Sequence, residues 1–335
     1  MVRPRVGIVG AGSITSLHVP FWQRLGWQVS VYALEGAPAL ADRYGIQVEP
    51  TLDGLLASAD VVDVCSSSAS HASLATLAVR RGLPVVCEKP MALSFKESLD
   101  LAAEARRRGV RVLPAHVVRF FGQYEAVHRA VRGGALGDLA VLRFVRGGAR
   151  PDGAWFLDEA QSGGIVFDLM VHDLDQARWL AGEVRSVHAV QNPPSADGQV
   201  PPEVVAHATL VHDGGAISQV QSFWGSPGFT FGPSFDVAGS AGRLVSSPDH
   251  EVTVFEDLPG IEAEQSYLPP ETAEESPYFS QLEEFSRALL QDDPCRVAAL
   301  DGVMAVGLAE AARTSIQTGE PVDFLPWREQ IADAL

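Results

Sequence analysis

Three groups of residues in this sequence have types and spacings that can do chemistry. The first is Glu88-Lys89-Pro90. Lysine occurs at only two positions, Lys89 and Lys96, although the chain carries 25 Lys plus Arg. A guanidinium stays protonated in practice, whereas a lysine ammonium is a compact charge whose pKa falls on burial. A lone lysine in an arginine-writing chain is therefore a candidate for proton chemistry. The second group lies in "SGGIVFDLMVHDLDQARWLAGEV", where Asp168, His172 and Asp175 fall at i, i+4 and i+7. On a helix these share an arc of about 60°. Residues Ile165 to Ala181 are otherwise apolar nearly all round, which predicts a buried helix bearing one polar stripe. An aspartate one turn from a histidine orients the imidazole and stabilises its charged form. The third group is Gly10-Ala11-Gly12-Ser13-Ile14-Thr15. Gly10 permits a tight turn, Gly12 lets backbone approach a pyrophosphate, and the helix start that follows supplies amides and a positive dipole.

These groups need elements to position them. Over residues 1–118 short apolar runs alternate with helical stretches: "RVGIVGAG", "QVSVYAL", "ADVVDVCSS", "SHASLATLAVRRG", "PVVCEKP", "SFKESLDLAAEARRRG" and "VRVLPAH". That alternation predicts a doubly wound parallel sheet, an α/β Rossmann domain whose ligand crevice lies off the carboxyl ends of the strands. The glycine turn follows the first strand and Glu88-Lys89-Pro90 follows a later one. After the second strand Glu35 is the only carboxylate available for ribose hydroxyls, and no arginine waits for a phosphate, which favours NAD over NADP. His71 and His116 follow strands and can line a site; His18 lies in the first helix, and His128 reads as solvated.

From about Arg119 the alternation stops. "LAVLRFVRG", "RSVHAVQ", "EVVAHATLVHDGGAISQVQSFW", "SFDVAGSAGRLVSS" and "EVTVFE" read as strands, with Asp213-Gly214-Gly215 as a hairpin turn. "NPPSADGQVPPE" and "LPPETAEESP" read as proline-rich loops, and "FSQLEEFSRALLQ" and "LDGVMAVGLAEAARTSIQTG" as helices. Residues 119–335 thus form a C-terminal α+β domain with an open, mostly antiparallel sheet, one face of which needs a cover, as in a homo-oligomer. A formal net charge of -17 excludes nucleic acid and anionic membrane as favoured partners. No apolar run reaches the length of a membrane span, and the N-terminus passes directly into a strand, which predicts a cytoplasmic protein. Cys65, Cys87 and Cys295 lack metal spacing and read as reduced packing residues; no histidine pair has zinc spacing.

The chain resembles the glucose-fructose oxidoreductase and inositol dehydrogenase family (Gfo/Idh/MocA). The similarity runs nearly its whole length: the glycine turn with His18 three residues on, "SHASLATLAVRRGLPVVCEKPMAL", "AHVVRFFGQY", "GGALGDL", "SGGIVFDLMVHDLDQARWL" and the helical "ALDGVMAVGLAEAARTSIQTGEPV". The resemblance implies NAD(P)-dependent oxidation of a sugar or cyclic polyol, with Lys89, Asp168 and His172 at the reacting centre, in a homodimer or homotetramer. It also admits a cofactor-binding regulator without turnover, or a glycosidase that uses tightly held NAD transiently. Three positions depart from the family pattern. Ser66-Ser67-Ser68 replaces Thr-Pro-Asn in the cofactor-lining loop, Ala33 takes the acidic position with Glu35 displaced, and Met170 stands where a small residue is usual.

Oxidising a carbinol requires that its hydroxyl proton be accepted and the charge developing on oxygen be stabilised. The expected roles are His172 as base, Asp168 as its orienter, and Lys89 as the cation on the hydroxyl oxygen. Glu88 positions the lysine or contacts the cofactor, and Pro90 fixes the turn. Gly10, Gly12, Ser13, Ile14, Glu35, Ser66, Ser67 and His71 complete the expected cofactor set. His116, Arg119, Phe120, Trp155, Asp175 and Trp224 are expected around the substrate.

Overall fold

The structure, a computed structural model, describes residues 3–226, 228–247, 255–257 and 276–335. Its helices in chain order are α1 (Thr15–Arg24), α2 (Ala37–Tyr44), α3 (Leu52–Ser58), α4 (His71–Arg80), α5 (Phe95–Arg108), α6 (Gly122–Arg132), α7 (Glu159–Ser162), α8 (Val171–Ala181), α9 (Pro277–Gln291), α10 (Ala299–Thr318) and α11 (Leu325–Ala334). The described residues gather into two compact units. The first takes 3–120, 276–303 and 334–335; the second takes 121–226, 228–247, 255–257 and 304–333. No described helix is long and apolar enough to cross a membrane.

In the first unit β1 (Arg5–Val9), β2 (Gln28–Tyr32), β3 (Gln47–Val48), β4 (Val61–Val64), β5 (Val85–Cys87) and β6 (Val112–Pro114) form one parallel sheet, ordered β3-β2-β1-β4-β5-β6. The order reverses between β1 and β4, which opens a crevice at their carboxyl ends. Runs such as Val61 to Val64 are buried throughout, as strands covered on both faces must be. Helix α5 shows how local signals agree with this plan. Ser94 caps it by accepting the Glu97 amide at 3.2 Å, Arg106, Arg107 and Arg108 oppose its negative end, and Gly109 (φ 65°) closes it.

The first unit recruits a segment from far along the chain, so its division differs from the expected boundary after residue 118. Leu282, Phe285 and Ala288, one per turn of α9, enter the same core as Val6, Ile8 and Trp27. The Trp27 indole donates to the Ser286 hydroxyl at 2.8 Å.

The second unit holds β7 (Leu139–Ala149), β8 (Val184–Asn192), β9 (Val204–His212), β10 (Ile217–Gly225), β11 (Gly232–Gly239), β12 (Arg243–Ser246), β13 (Phe255–Asp257) and β14 (Val322–Asp323). They form one sheet, ordered β13-β12-β11-β7-β10-β9-β8-β14 and antiparallel except for the β7–β10 pair. Buried and half-buried residues alternate along all of β9, so one face of the sheet is packed and the other open. The β9–β10 hairpin turns at Asp213-Gly214-Gly215, where Gly215 takes φ 87°. Of the expected strand "EVTVFE" only Phe255 and Glu256 are described, within β13; of the expected proline-rich loop at 268–277, residues 268–275 lie outside the described residues, and Pro277 opens α9 instead.

Candidate functional site

The glycine turn leaves β1 and enters α1. The Gly10 amide donates to the Tyr32 carbonyl at 2.9 Å, and its φ of 118° is one that only glycine adopts readily. A Cβ on Gly10 would lie 2.5 Å from the Cys65 carbonyl oxygen, so the turn is pressed against the end of β4. Gly12 is the opposite case: it is exposed, and a Cβ there would meet nothing within 4 Å. That open backbone beside the start of a ten-residue helix is a cradle a phosphate fits. Thr15, where a third glycine is common, is buried and sends its hydroxyl back to the Gly10 carbonyl at 3.2 Å, which binds helix to turn. Exposed Ser13 and half-buried Ile14 complete the turn. Glu35 is exposed in the loop after β2. A Cβ on the adjacent Gly36 would lie 3.4 Å from that of Ala11, so this loop rests against the glycine turn.

At the end of β5 the Glu88 carboxylate, nearly buried, accepts the Lys89 amide through Oε2 at 3.1 Å. The Lys89–Pro90 peptide is cis. Buried His71, opening α4, faces two carbonyls, Pro90 through Nδ1 at 2.8 Å and Ser66 through Nε2 at 2.9 Å. Its ring thus fills the space between the Ser66-Ser67 loop after β4 and the Glu-Lys-Pro turn after β5. Burial lowers its pKa against the pull of both carbonyls, and the neutral ring donates from one nitrogen only. Ser66 and Ser70 share a hydroxyl–hydroxyl bond of 2.7 Å that shapes the same loop.

Behind these turns lies a network that sequence reasoning missed. Asp63 of β4, fully buried, accepts the Trp22 indole at 2.7 Å and faces His18 Nδ1 at 2.8 Å through the same Oδ2, while the Cys65 thiol donates to Oδ1 at 3.3 Å. Cys65 is thus more than a packing residue. His18, Asp63 and Cys65 are the one group among the described residues whose ligand atoms are close enough to surround a metal ion. The indole donor aimed at the shared carboxylate oxygen makes them a hydrogen-bonded set instead.

In the second unit the helix expected from Ile165 to Ala181 is not uniform. A π-helical turn, Val166–Met170, runs into α8. Between Val166 and Ala177 every residue is buried except Asp168 and His172, which are half-buried. The expected polar stripe therefore reaches accessible surface at two of its three positions, and Asp175 is buried at 2% exposure. Asp173, which periodicity passed over, anchors the helix: its carboxylate takes a two-pronged bond from Arg146 of β7, 2.8 Å at each prong, and Arg146 also donates to the Tyr124 hydroxyl at 2.9 Å. Burial opposes the charge on Arg146, but Asp173 and Tyr124 more than offset it and raise its pKa. Half-buried Trp155 stacks on Phe156 at 3.9 Å, and Phe156 meets buried Trp224 edge-on at 6.4 Å.

Other expected residues serve packing. Arg119 is 1% exposed, and its guanidinium holds the Arg296 carbonyl at 2.8 Å and Asp301 at 3.0 Å, so it braces the first unit rather than meeting substrate. Phe120 packs edge-on against Phe285 of α9. His116 is buried just beyond β6. His128, expected in solvent, lies half-buried and stacked on Trp179 at 3.7 Å.

Comparison with known proteins places these features in a family. Residues 4–116 match the oxidoreductase family profile described as an NAD-binding Rossmann fold, and residues 124–245 match the GFO/IDH/MocA C-terminal domain. Myo-inositol 2-dehydrogenase of Thermotoga maritima is 26% identical over 93% of this chain and 96% of its own length. Inositol 2-dehydrogenase 2 of Saccharopolyspora erythraea is 27% identical over 96% of each. Among solved structures, GenD2 from gentamicin A biosynthesis, in complex with NAD, superposes with a TM-score of 0.84 at 27% identity, over 96% of this chain and 97% of its own.

Proposed function

Because the chain belongs to the GFO/IDH/MocA family of NAD-dependent oxidoreductases, we propose that it oxidises a secondary alcohol of a sugar, sugar derivative or cyclic polyol, and that Lys89, Asp168 and His172 carry the proton chemistry. The observation that carries this reading is the pair Asp168 and His172, the two residues between Val166 and Ala177 that are not buried. A buried helix keeps accessible polar groups of this kind for a purpose other than packing. The inositol dehydrogenases among its relatives favour a polyhydroxylated ring as substrate.

NAD, when bound over Gly10 and Gly12, supplies the hydride acceptor. The protein's own residues do the rest. His172 takes the hydroxyl proton, Asp168 fixes the imidazole and stabilises the imidazolium that forms, and the Lys89 ammonium lowers the energy of the alkoxide-like oxygen. In the reverse direction the same groups return the proton. Glu35 binds the ribose hydroxyls, which selects NAD over NADP.

The test is growth of the reduced-cofactor absorbance on incubation with NAD and a panel of inositols, sugars and glycosides, for the native chain and for Lys89→Met. The expected outcome is net reduction with at least one polyol or sugar and a loss of about two to four orders of magnitude in turnover for Lys89→Met. Glycoside cleavage without net reduction would replace this reading with a glycosidase. Binding of NAD with neither reaction would replace it with a regulator.

A further inference from the structure

His18 is flanked by two carboxylates in an interior that excludes water. Its Nδ1 lies 2.8 Å from Asp63 Oδ2, and its Nε2 lies 3.3 Å from Glu88 Oε1. The first contact fixes the tautomer. An indole N–H can only donate, so the Oδ2 that Trp22 touches is an acceptor, and His18 Nδ1 carries a proton toward it. The second contact is off line for a hydrogen bond and acts as an ion pair. Glu88 Oε2 in turn accepts the Lys89 amide. One continuous chain therefore runs from β4 through α1 to the end of β5: Asp63, His18, Glu88 and the Lys89 backbone.

The chain has a physical reason. A carboxylate with 10% of its side chain exposed is costly to bury without a partner of opposite charge. The imidazolium of His18 supplies that charge, and Asp63 keeps the imidazolium. We propose that His18 and Asp63 are positioning residues for the reaction assigned above, holding the Glu88 carboxylate, and through it the Lys89 backbone, in one pre-formed arrangement. The proposal rests on the reading that Lys89 acts in that reaction. Both side chains are fully buried, so neither touches substrate or cofactor.

The titratable groups facing His18 are Asp63 and Cys65 from β4 and its end, and Glu88 from the end of β5. Burial works against the charged imidazole, yet its neighbours more than offset it and hold its pKa well above the ordinary value, the Asp63 carboxylate at 2.8 Å supplying the attraction that a neutral Cys65 thiol cannot. Burial, reinforced by Asp63, also pushes the Cys65 thiol far up, and Cys87 nearby is raised by burial and Glu88. Both therefore stay as thiols at neutral pH, and Asp63 is the anion that keeps His18 charged. Its stability contribution is then fully present below about pH 6.5, the unfolded value. It is lost only as pH rises through the higher folded value.

Nitrogen NMR of the histidine side chains in the intact protein reads the arrangement directly. The expected result is a His18 ring protonated on both nitrogens at pH 8; a neutral ring there overturns the proposal. Asp63→Asn keeps the shape and removes the charge. Its expected effect is a fall in kcat of up to about a hundredfold, with the alkaline limb of the kcat profile moved to lower pH and KM for NAD little changed. If Asp63→Asn melts lower but keeps the native kcat and pH profile, the network is structural only and the proposal fails. Should that variant not fold, the NMR titration of the native chain still decides. Lys89→Met separates the two readings: normal turnover there sinks the role of Lys89, whereas its loss beside an unaltered Asp63→Asn sinks only the positioning role.

Discussion

Gly10 and Gly12 stand two residues apart in one turn, and the structure assigns them opposite sensitivities. In Gly12→Ala the new methyl meets nothing within 4 Å and the backbone needs no left-handed angle, so the free protein should keep its stability or gain a few tenths of a kcal/mol, by about the amount a less flexible unfolded chain confers. The same methyl stands where a pyrophosphate would approach the amides. Losing one charge-assisted hydrogen bond there, with part of the helix-dipole attraction, costs about 2.7 kcal/mol, or roughly a hundredfold in affinity. At a concentration of NAD about 100 times the native Kd, binding stabilises the native chain by about 2.7 kcal/mol and the variant by only about 0.4 kcal/mol. That difference corresponds to a cofactor-induced rise in Tm smaller by about 3 °C for a chain of 335 residues. Gly10→Ala should fail differently. Its φ of 118° and the Cys65 oxygen at 2.5 Å involve backbone on both sides, which cannot step aside, so the free protein should lose about 3 kcal/mol or more before any cofactor is added. Thermal melting of both variants with and without NAD, supported by calorimetric titration, checks the pair. A full native shift in Gly12→Ala would show that the pyrophosphate does not lie over this backbone. A native melting curve for free Gly10→Ala would refute the argument from backbone angle and close approach.

Two further outcomes follow from buried contacts. Asp173→Ala leaves the Arg146 guanidinium charged and dry, and should cost about 3–5 kcal/mol in urea unfolding, whereas the double variant Arg146→Met with Asp173→Leu should recover most of that loss; equal costs for single and double variants would contradict it. Trp27→Phe removes the donor that reaches Ser286 and should cost about 1–2 kcal/mol, with hydrogen exchange in α9 accelerated ahead of the rest of the first unit; unchanged protection of α9 would mean that this bond does not hold the segment.

The parts of the fold that were legible are those in which local spacing carries the physics. An apolar run that ends in Gly10 and Gly12 must be a buried strand entering a turn, and alternation along "EVVAHATLVH" must be a strand with one face covered. The parts that were not legible are those in which a polar group's partner lies far along the chain. Asp63 reads as one residue in an apolar strand, because Trp22 and His18, which make it bearable there, stand 41 and 45 residues earlier. Periodicity put Asp175 on the stripe and passed over Asp173, whose partner Arg146 lies 27 residues away on β7. Arg119 reads as a pocket cation until Asp301, 182 residues on, is seen to hold it, and α9 joins the first unit through Trp27, 259 residues before Ser286.

The same distinction explains why Lys89 was legible and its support was not. A rare lysine at the end of a parallel strand is visible in one dimension, because composition and position suffice to mark it. Its neighbours Glu88 and Pro90 adjoin it in sequence, so the turn is visible as well. What a nearly buried carboxylate beside that lysine needs is a partner of opposite charge, and charge pairing in a dry interior is decided by distance in space alone. His18 was noticed only as a histidine near the glycine turn. Its meaning changes once Asp63 is found on one side of the ring and Glu88 on the other. A buried ion pair of this kind adds little net stability, since desolvation offsets most of the attraction. Its presence at the foot of the Glu-Lys-Pro turn is therefore better explained by what it holds in place than by what it contributes to folding, and that makes the ionisation of His18 the most informative single quantity to measure.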